Sequence, residues 1–404
     1  MNNIMPNFGC LEGVRVVVAG GGQASAFCSC LLAENGADTI HIEGVQGMDS
    51  ARGYHAMFYG NEHRNVRELA LDIPSPEGRE IFEKLIRSTD ILIESTRGGT
   101  FANKWDLGDD VLWSWNPKLV IVHISGFGQY GDPAYIARAS FDMIGQCFSG
   151  LPMLNGTPET GPDFAKPMVS DYYTGFTAAV GALMALYKVQ KTGEGDSLDV
   201  TQYESCLRCQ NFQIVEGFTL GKEPERYSGI DGNVAGDAFY KCSDDRYIAI
   251  IPAGVGPMKS LLRILGLEGN PDFEGKIMIF KKDPVSEKFV DTIREFCAER
   301  TLDEVEKILG EAGVPCSRLM SYGDMMTNPH YAARNNIIEF YSSQAGRNIK
   351  ASAPAPQFKR NPQQIWRGGA LKGEDSKDIM AELGFTEEEM QQFKDAGAIC
   401  GVGL

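Results

Sequence analysis

Val14-Arg-Val-Val-Val-Ala-Gly-Gly-Gly-Gln-Ala-Ser25 decides the fold. Residues 14–19 are short, apolar and rich in β-branched side chains, the composition of a strand buried on both faces. Gly20, Gly21 and Gly22 follow at once and make a turn. Residues 26–35 read as a helix that Gly36 ends, and Thr39-Ile-His-Ile-Glu43 is a second strand. Together they form a β-α-β unit, the building block of a parallel sheet. The turn also carries part of a dinucleotide fingerprint, Gly20-x-Gly22-x-x-Ser25, with acidic Glu43 about twenty residues on. Ser25 stands where the third glycine belongs, so a plain parallel α/β start competes with a nicotinamide site.

More units of this kind follow. Residues 76–87 form an amphipathic helix and 90–94 a strand; 108–115 form a short helix and 119–125 another strand. Residues 199–200 begin a further strand or helix. From about 236 to 329 the character changes. Residues 238–251 read as a hairpin turning at 243–246, and charged amphipathic helices follow at 285–300 and 302–312. This predicts a smaller α+β domain. The tail from 358 has a Pro/Gly-rich stretch and one last helix near 376–383.

The 404 residues are 43% hydrophobic and 23% charged, which fits a globular protein of two or more domains. No uncharged apolar run is long enough for a membrane span. Met1-Asn-Asn-Ile-Met-Pro-Asn-Phe-Gly9 lacks the basic and apolar regions of a signal peptide, so a cytoplasmic location is expected. The 10 cysteines are scattered and read as reduced thiols. Cys206-x-x-Cys209 falls in an apparent helix with no second Cys/His pair nearby, so no zinc or other metal is expected. A net charge of −16 disfavours nucleic acid and anionic membranes as partners. An anionic ligand would need a local basic site.

Met168-Val-Ser-Asp-Tyr-Tyr-Thr-Gly-Phe-Thr-Ala-Ala-Val-Gly-Ala-Leu-Met-Ala-Leu-Tyr187 reads as a helix rich in small residues. Val180, Leu183, Met184 and Tyr187 recur at helical spacing and predict one apolar face. Gly175, Ala178, Ala179, Gly181, Ala182 and Ala185 keep the helix thin, so other backbone can approach. Asp171 sits where the helix should begin. It is an N-cap, or a carboxylate nucleophile oriented by backbone amides at the positive helix end; both can hold at once.

Six segments share an order and spacing. They are Ser125-Gly-Phe-Gly-Gln-Tyr-Gly131, the Asp171 helix, Thr192-Gly-Glu-Gly-Asp-Ser-Leu-Asp-Val200, Gly313-Val-Pro-Cys-Ser317, Asn328-Pro-His-Tyr-x-x-Arg334 and Phe358-Lys-Arg-Asn-Pro-x-x-Ile-Trp-Arg-Gly368. Together the chain closely resembles the class III CoA-transferases over essentially its full length, with the carnitine (crotonobetaine/γ-butyrobetaine) and bile-acid branches nearest. The resemblance implies an interlocked homodimer. Each protomer would have a Rossmann-like large CoA-binding domain, residues 1–220 completed by 331–404, and a small α+β domain at 236–330. It puts the family's nucleophile on Asp171 and CoA contacts on Arg97 and Lys104, with Arg15, Arg64 and Arg138 as secondary candidates. The family's Lys and Arg are exchanged at positions 97 and 104, which keeps the charge and alters the geometry. Residues 24–27 also depart from a Gly-Pro pair that the family often shows.

CoA and acyl-CoA would be substrates, with no tightly bound cofactor. The acceptor expected is a carnitine/γ-butyrobetaine-type acid, the alternative a bile acid. Tyr54, Phe58, Tyr59, Tyr172 and Tyr173 could cage a trimethylammonium group; Met143, Met153, Met168, Met184 and Met258 would suit a wide apolar slot. The Gly-rich residues 229–236 are a cover for the site or an interdomain linker. The α-methylacyl-CoA racemases share the fold, but their Gly-His-Asp segment aligns with Ser140-Phe141-Asp142. Phe141 cannot move a proton, so racemisation is disfavoured, while Asp142 is a second carboxylate or a structural one. From another class, an NAD-dependent oxidoreductase using residues 20–25 is the alternative, and a non-catalytic CoA-binding protein a further one.

Overall fold

Six short segments assemble into one parallel sheet, the central ones apolar enough to be covered on both faces. In the computed structural model they are β1 (Arg15–Gly20), β2 (Asp38–Glu43), β3 (Arg67–Leu71), β4 (Ile91–Ser95), β5 (Val120–Ser125) and β6 (Asp196–Thr201). They run in the order β3-β2-β1-β4-β5-β6, the doubly wound order, and the short strand Ile399–Cys400 adds antiparallel to the outside of β3. The structure describes residues 5–227, 229–230 and 232–404. Val17 of β1 pairs with Ile40 of β2 and Leu92 of β4. Val16, Val17 and Val18 are sealed from solvent, each burial contributing roughly 1.5–3 kcal/mol.

Helices cover both faces. On one lie α2 (Pro76–Ile86) and α3 (Asp109–Trp115), whose Ile81, Phe82, Leu85 and Leu112 pack on Val17, Ile40, Leu69 and Leu92. Two helices of the tail, Ser376–Glu382 and Glu387–Asp395, join them with Ile379, Met380 and Phe393. The other face carries α1 (Gln23–Glu34) and α5 (Val169–Thr192), which set Cys28, Leu32, Ala178 and Ala182 on Val16, Val18, Ile91 and Ile93. Between α3 and α5 lies α4 (Asp142–Ser149), and α6 (Gln202–Arg208) follows β6 directly.

The buried side of α5 is its small side. Ala178 and Ala182 are fully buried, while Val180, Met184 and Tyr187 are 50%, 67% and 61% exposed. The apolar side read from the spacing is thus exposed, and the small side is the one that neighbouring backbone approaches. A Cβ on Gly175 would come within 2.9 Å of the Ala24 carbonyl oxygen and 2.9 Å of Phe27 Cδ1, so α1 and α5 are in contact through backbone. Gly175→Val should therefore destabilise the protein by about 1–3 kcal/mol, read as a lower urea midpoint; an unchanged midpoint would show that the two helices can part freely.

The tail belongs to this unit, which comprises residues 1–151, 165–214 and 335–404. Asp375 accepts from Glu68 N at 2.8 Å and Ser376 from Ala70 N at 3.1 Å, so the outer edge of β3 is satisfied by residues far along the chain. A hairpin, Ile337–Ser342 with Arg347–Ser352, precedes it; it was not expected.

Residues 152–164 and 215–334 pack into a second unit. Its sheet has three antiparallel strands, Cys316–Arg318, Tyr247–Ile250 and Ala238–Lys241 in that order. The last two are the expected hairpin. Helices Ser286–Ala298 and Leu302–Glu311 lie where charged amphipathic helices were expected and bury Phe289, Ile293, Val305 and Leu309; helix Val255–Ile264 is an addition. Among the described residues no helix is long and apolar enough to cross a membrane.

Candidate active site

β1, β4, β5 and β6 all end on one edge of the sheet, where open α/β sheets receive ligands. A cavity of about 340 Å³ opens there, lined among others by Gly22, Arg97, Arg138, Phe141, Asp171 and Gln202. A second cavity, about 510 Å³, shares Gly21, Gly22 and Phe141 with it and extends past the ends of β2 and β3 to Ile73, Pro74 and Trp105.

Asp171 is buried in the first turn of α5. The helix begins two residues before it, at Val169, so Asp171 is not the N-cap. That task falls to Asp142 at the start of α4. Its Oδ1 accepts from Ser170 N at 2.8 Å and Asp171 N at 3.3 Å, and its Oδ2 from Gln146 Nε2 at 2.7 Å. Among the described residues it is therefore a side chain, and not the backbone amides expected from the sequence, that holds the Asp171 carboxylate. Gln202, the first residue of α6, donates Nε2–H to Asp171 Oδ1 at 2.5 Å. Burial pushes the Asp171 carboxyl up to about 7; the Gln202 bond pulls it down and the Asp142 charge adds to the rise.

Arg97 follows β4 and is exposed on the wall of the cavity that holds Asp171. The turn before it is fixed from below. Glu94 accepts from Thr96 N at 2.7 Å and from His123 Nδ1 at 2.9 Å, and His123 Nε2 faces Asp109 at 3.0 Å. Burial opposes a charge on His123, but the bonds to Asp109 and Glu94 outweigh it and hold its pKa up at about 9. Lys104 ends a single π-helical turn, Thr100–Lys104; it is exposed and does not line that cavity. Arg138 does line it, with its guanidinium 4.1 Å over the Tyr135 ring and its Nε on the Ala134 carbonyl.

The other secondary candidates are spent elsewhere. Arg15, at the opposite end of β1, pairs with Asp38 at 2.9 Å. Arg64 is buried against Glu34. Tyr59 is withdrawn from any aromatic cage: its ring lies under Arg52 and on His63, and its hydroxyl donates to Glu68 at 2.5 Å. Met258 belongs to the core of the second unit. Asp231 of the Gly-rich 229–236 segment lies outside the described residues.

Two buried groups bring metal-ligating atoms within 4.8 Å of one another: His41 with Asp49 and His63, and His41 with Glu43 and Glu68. His41 faces Glu68 through Nδ1 and the Gly20 carbonyl through Nε2, each at 3.0 Å. Burial works against its charge, yet Glu68 raises it to about 9. His41, Glu68, Arg52 and Glu43 are joined to one another as a buried ion-pair network. Glu43, the acidic residue of the partial fingerprint, is tied to Arg52 at 2.8 Å and to Asp49 N at 2.8 Å.

Residues 11–376 match the family model of CoA-transferase family III, and the chain belongs to that family; it is an enzyme of the CoA-transferase class. It is 40% identical over 400 residues to a bile acid CoA-transferase, BaiK, of Clostridium scindens, covering 98% of this chain and 90% of the relative. It is 37% identical over 399 residues to an L-carnitine CoA-transferase of Proteus mirabilis, covering 97% of each. In fold it is similar to a CAIB/BAIF family protein from Brucella suis, with a TM-score of 0.79 at 23% identity, over 93% of this chain and 100% of that one.

Proposed function

We propose that Asp171 is the nucleophile that carries CoA from an acyl-CoA donor to a carboxylic acid acceptor. The observation that carries this is a buried carboxylate, lifted to about 7, lining a cavity at the ligand edge of the sheet. Its oxygen attacks the thioester carbonyl; the C–S bond breaks and CoA leaves as thiolate, giving a mixed anhydride. The thiolate then adds to the Asp171 carboxyl carbon and expels the donor acid, leaving an aspartyl-CoA thioester. The acceptor carboxylate displaces the thiolate, which returns to the acceptor carbonyl and frees Asp171. No proton is consumed, but water must be kept out while the anhydride exists.

CoA would lie along the shared edge of the two cavities, its phosphates drawn by Arg97, Arg138 and Lys104. Residues 1–220 with 331–404 would hold it, and 236–330 would be the accessory domain. Charge removal at Arg97 should weaken CoA binding roughly 10–100-fold, the worth of a charged hydrogen bond, and Lys104→Ala should weaken it too; NAD should not bind. Calorimetry with both ligands decides this, and tight NAD binding without CoA binding would overturn it. Two alternatives lose physical support. Both oxygens of Glu43 are already engaged, one with Asp49 N and one with Arg52. Phe141 lines the cavity where a racemase would need a base, and Asp142 is engaged with the start of α5.

The acceptor is a carnitine/γ-butyrobetaine-type acid, with a bile acid as the alternative; relatives named for each stand at 37% and 40% identity. Without Tyr59, a cage would rest on pairs such as Tyr54 and Phe58, 6.0 Å apart and edge to face. A panel of both acid types, incubated with acyl-CoA and read by mass spectrometry of the CoA products, tests the reading. Transfer to neither type would sink the substrate assignment, and hydrolysis without transfer would sink the class of reaction proposed for Asp171.

The working form is proposed to be the interlocked homodimer. What supports it is exposed apolar surface: Phe176, Val180, Met184 and Tyr187 on α5, and Met143, Ile144 and Phe148 on α4.

A further inference from the structure

Resting on Asp171 as the nucleophile, we propose that Gln202 is a positioning residue. Its amide N–H holds Oδ1, leaves Oδ2 as the attacking oxygen, and steadies the charge that gathers on Oδ1 each time the CoA thiolate or the acceptor carboxylate adds to the Asp171 carboxyl carbon.

The geometry is built for that one contact. β6 delivers Gln202 to the ligand edge of the sheet, and Thr201 caps α6 so that the chain turns there. Gln202 is buried, and its Nε2 lies 2.5 Å from Asp171 Oδ1. An ionised carboxylate only accepts, so the NH₂ end of the amide must face it. The Oε1 at the other end is buried with no hydrogen-bond partner among the described residues. A buried orphan acceptor is costly, so no second protein group explains this amide. α4 packs on the pair through Gly145, where an added Cβ would come 2.7 Å from Gln202 Cβ and 2.3 Å from Ser170 Oγ. Close packing thus fixes the base of the Gln202 side chain, and the bond to Asp171 fixes its end.

The chemistry favours a neutral donor. When the thiolate adds to the anhydride, the C–S bond forms and an electron pair moves onto Oδ1; collapse of that adduct expels the donor acid together with Oδ2. An amide already on Oδ1 stabilises the adduct without reorganising. A lysine or arginine there would quench the nucleophile with a full charge. Around the carboxylate, the titratable or charged groups are Asp142 on α4, Tyr172 next in α5, and Arg97 and Arg138 of the cavity wall. The hydrogen bond favours the ionised form, so its loss moves the acid limb of the rate profile upward.

Gln202→Met, close in shape and without donors, and Gln202→Asn, one methylene short, should each lower kcat by about 10²-fold. KM for acyl-CoA should stay within about twofold, and the acid limb of kcat should move to higher pH. If Gln202→Met fails to fold, Gln202→Asn gives the same readouts. Wild-type kcat in these variants, or a lower kcat with an unmoved acid limb, would overturn the proposal. Asp171→Asn measured alongside separates the two levels: activity in that variant sinks the nucleophile itself, whereas its inactivity beside a normal Gln202 variant sinks only the role of Gln202.

Discussion

Asp171→Asn is expected to abolish CoA transfer, by about 10⁴-fold or more, because a covalent route has no substitute for its nucleophile. CoA binding should survive, since Arg97, Arg138 and the glycine turn are untouched. The variant should also be at least as stable as the wild type. Burial holds the Asp171 carboxyl at about 7, above the ordinary value near 4. Its contribution to stability is therefore full below about pH 4 and fades as pH climbs through about 7. At pH 8 the ionised side chain is a burden that asparagine does not carry, so the melting temperature of the variant should equal or exceed that of the native protein. In the native enzyme, activity should rise through about pH 7 as Asp171 ionises. Hydroxylamine added with acyl-CoA should inactivate the enzyme by modifying this side chain alone. Substantial transfer by homogeneous Asp171→Asn would refute the assignment.

The second large effect concerns assembly. A dimer near twice 44.2 kDa is expected, with no dissociation on dilution to nanomolar concentration. Two threaded chains cannot part without at least partial unfolding, so subunit exchange should be as slow as unfolding itself. Differently tagged protomers mixed in native buffer should yield no heterodimer, yet yield it after denaturation and refolding. Light scattering and a tag pull-down read the two outcomes; a monomer, or exchange within minutes, would exclude interlocking.

Much of the first unit was legible because its strands are so apolar. Val16, Val17 and Val18 could hardly stand anywhere but in a covered sheet, and the helix at 76–86 carries a Ser75 cap and an amphipathic pattern. β3 escaped notice for the opposite reason. Its sequence, Arg-Glu-Leu-Ala-Leu, begins with two charges that are nevertheless buried. Arg67 is held by Asp38 and Glu382, and Glu68 by Tyr59 and His41, and no local pattern announces such distant partners. The helix of Asp171 was found, with its apolar side and its small side. Periodicity reports that one side is apolar but not that it is the exposed one; the small residues themselves announced the close approach to α1. Gln202 gave no signal at all. A lone glutamine acquires its meaning only when β6 brings it across 31 positions to Asp171, whereas Asp171 was visible from its place before a Gly/Ala helix.

The strand Ile399–Cys400 has a consequence for how the chain is made. Until those residues have left the ribosome, the end of β3 that they cover, Ala70 and Leu71, lacks its outer strand. Residues 215–334 are finished earlier and can pack on their own core while that margin is still open. Emerging chains crowded on one message would find in it a template for one another. The nascent chain thus depends on a strand made long after β3 to close that margin against its siblings.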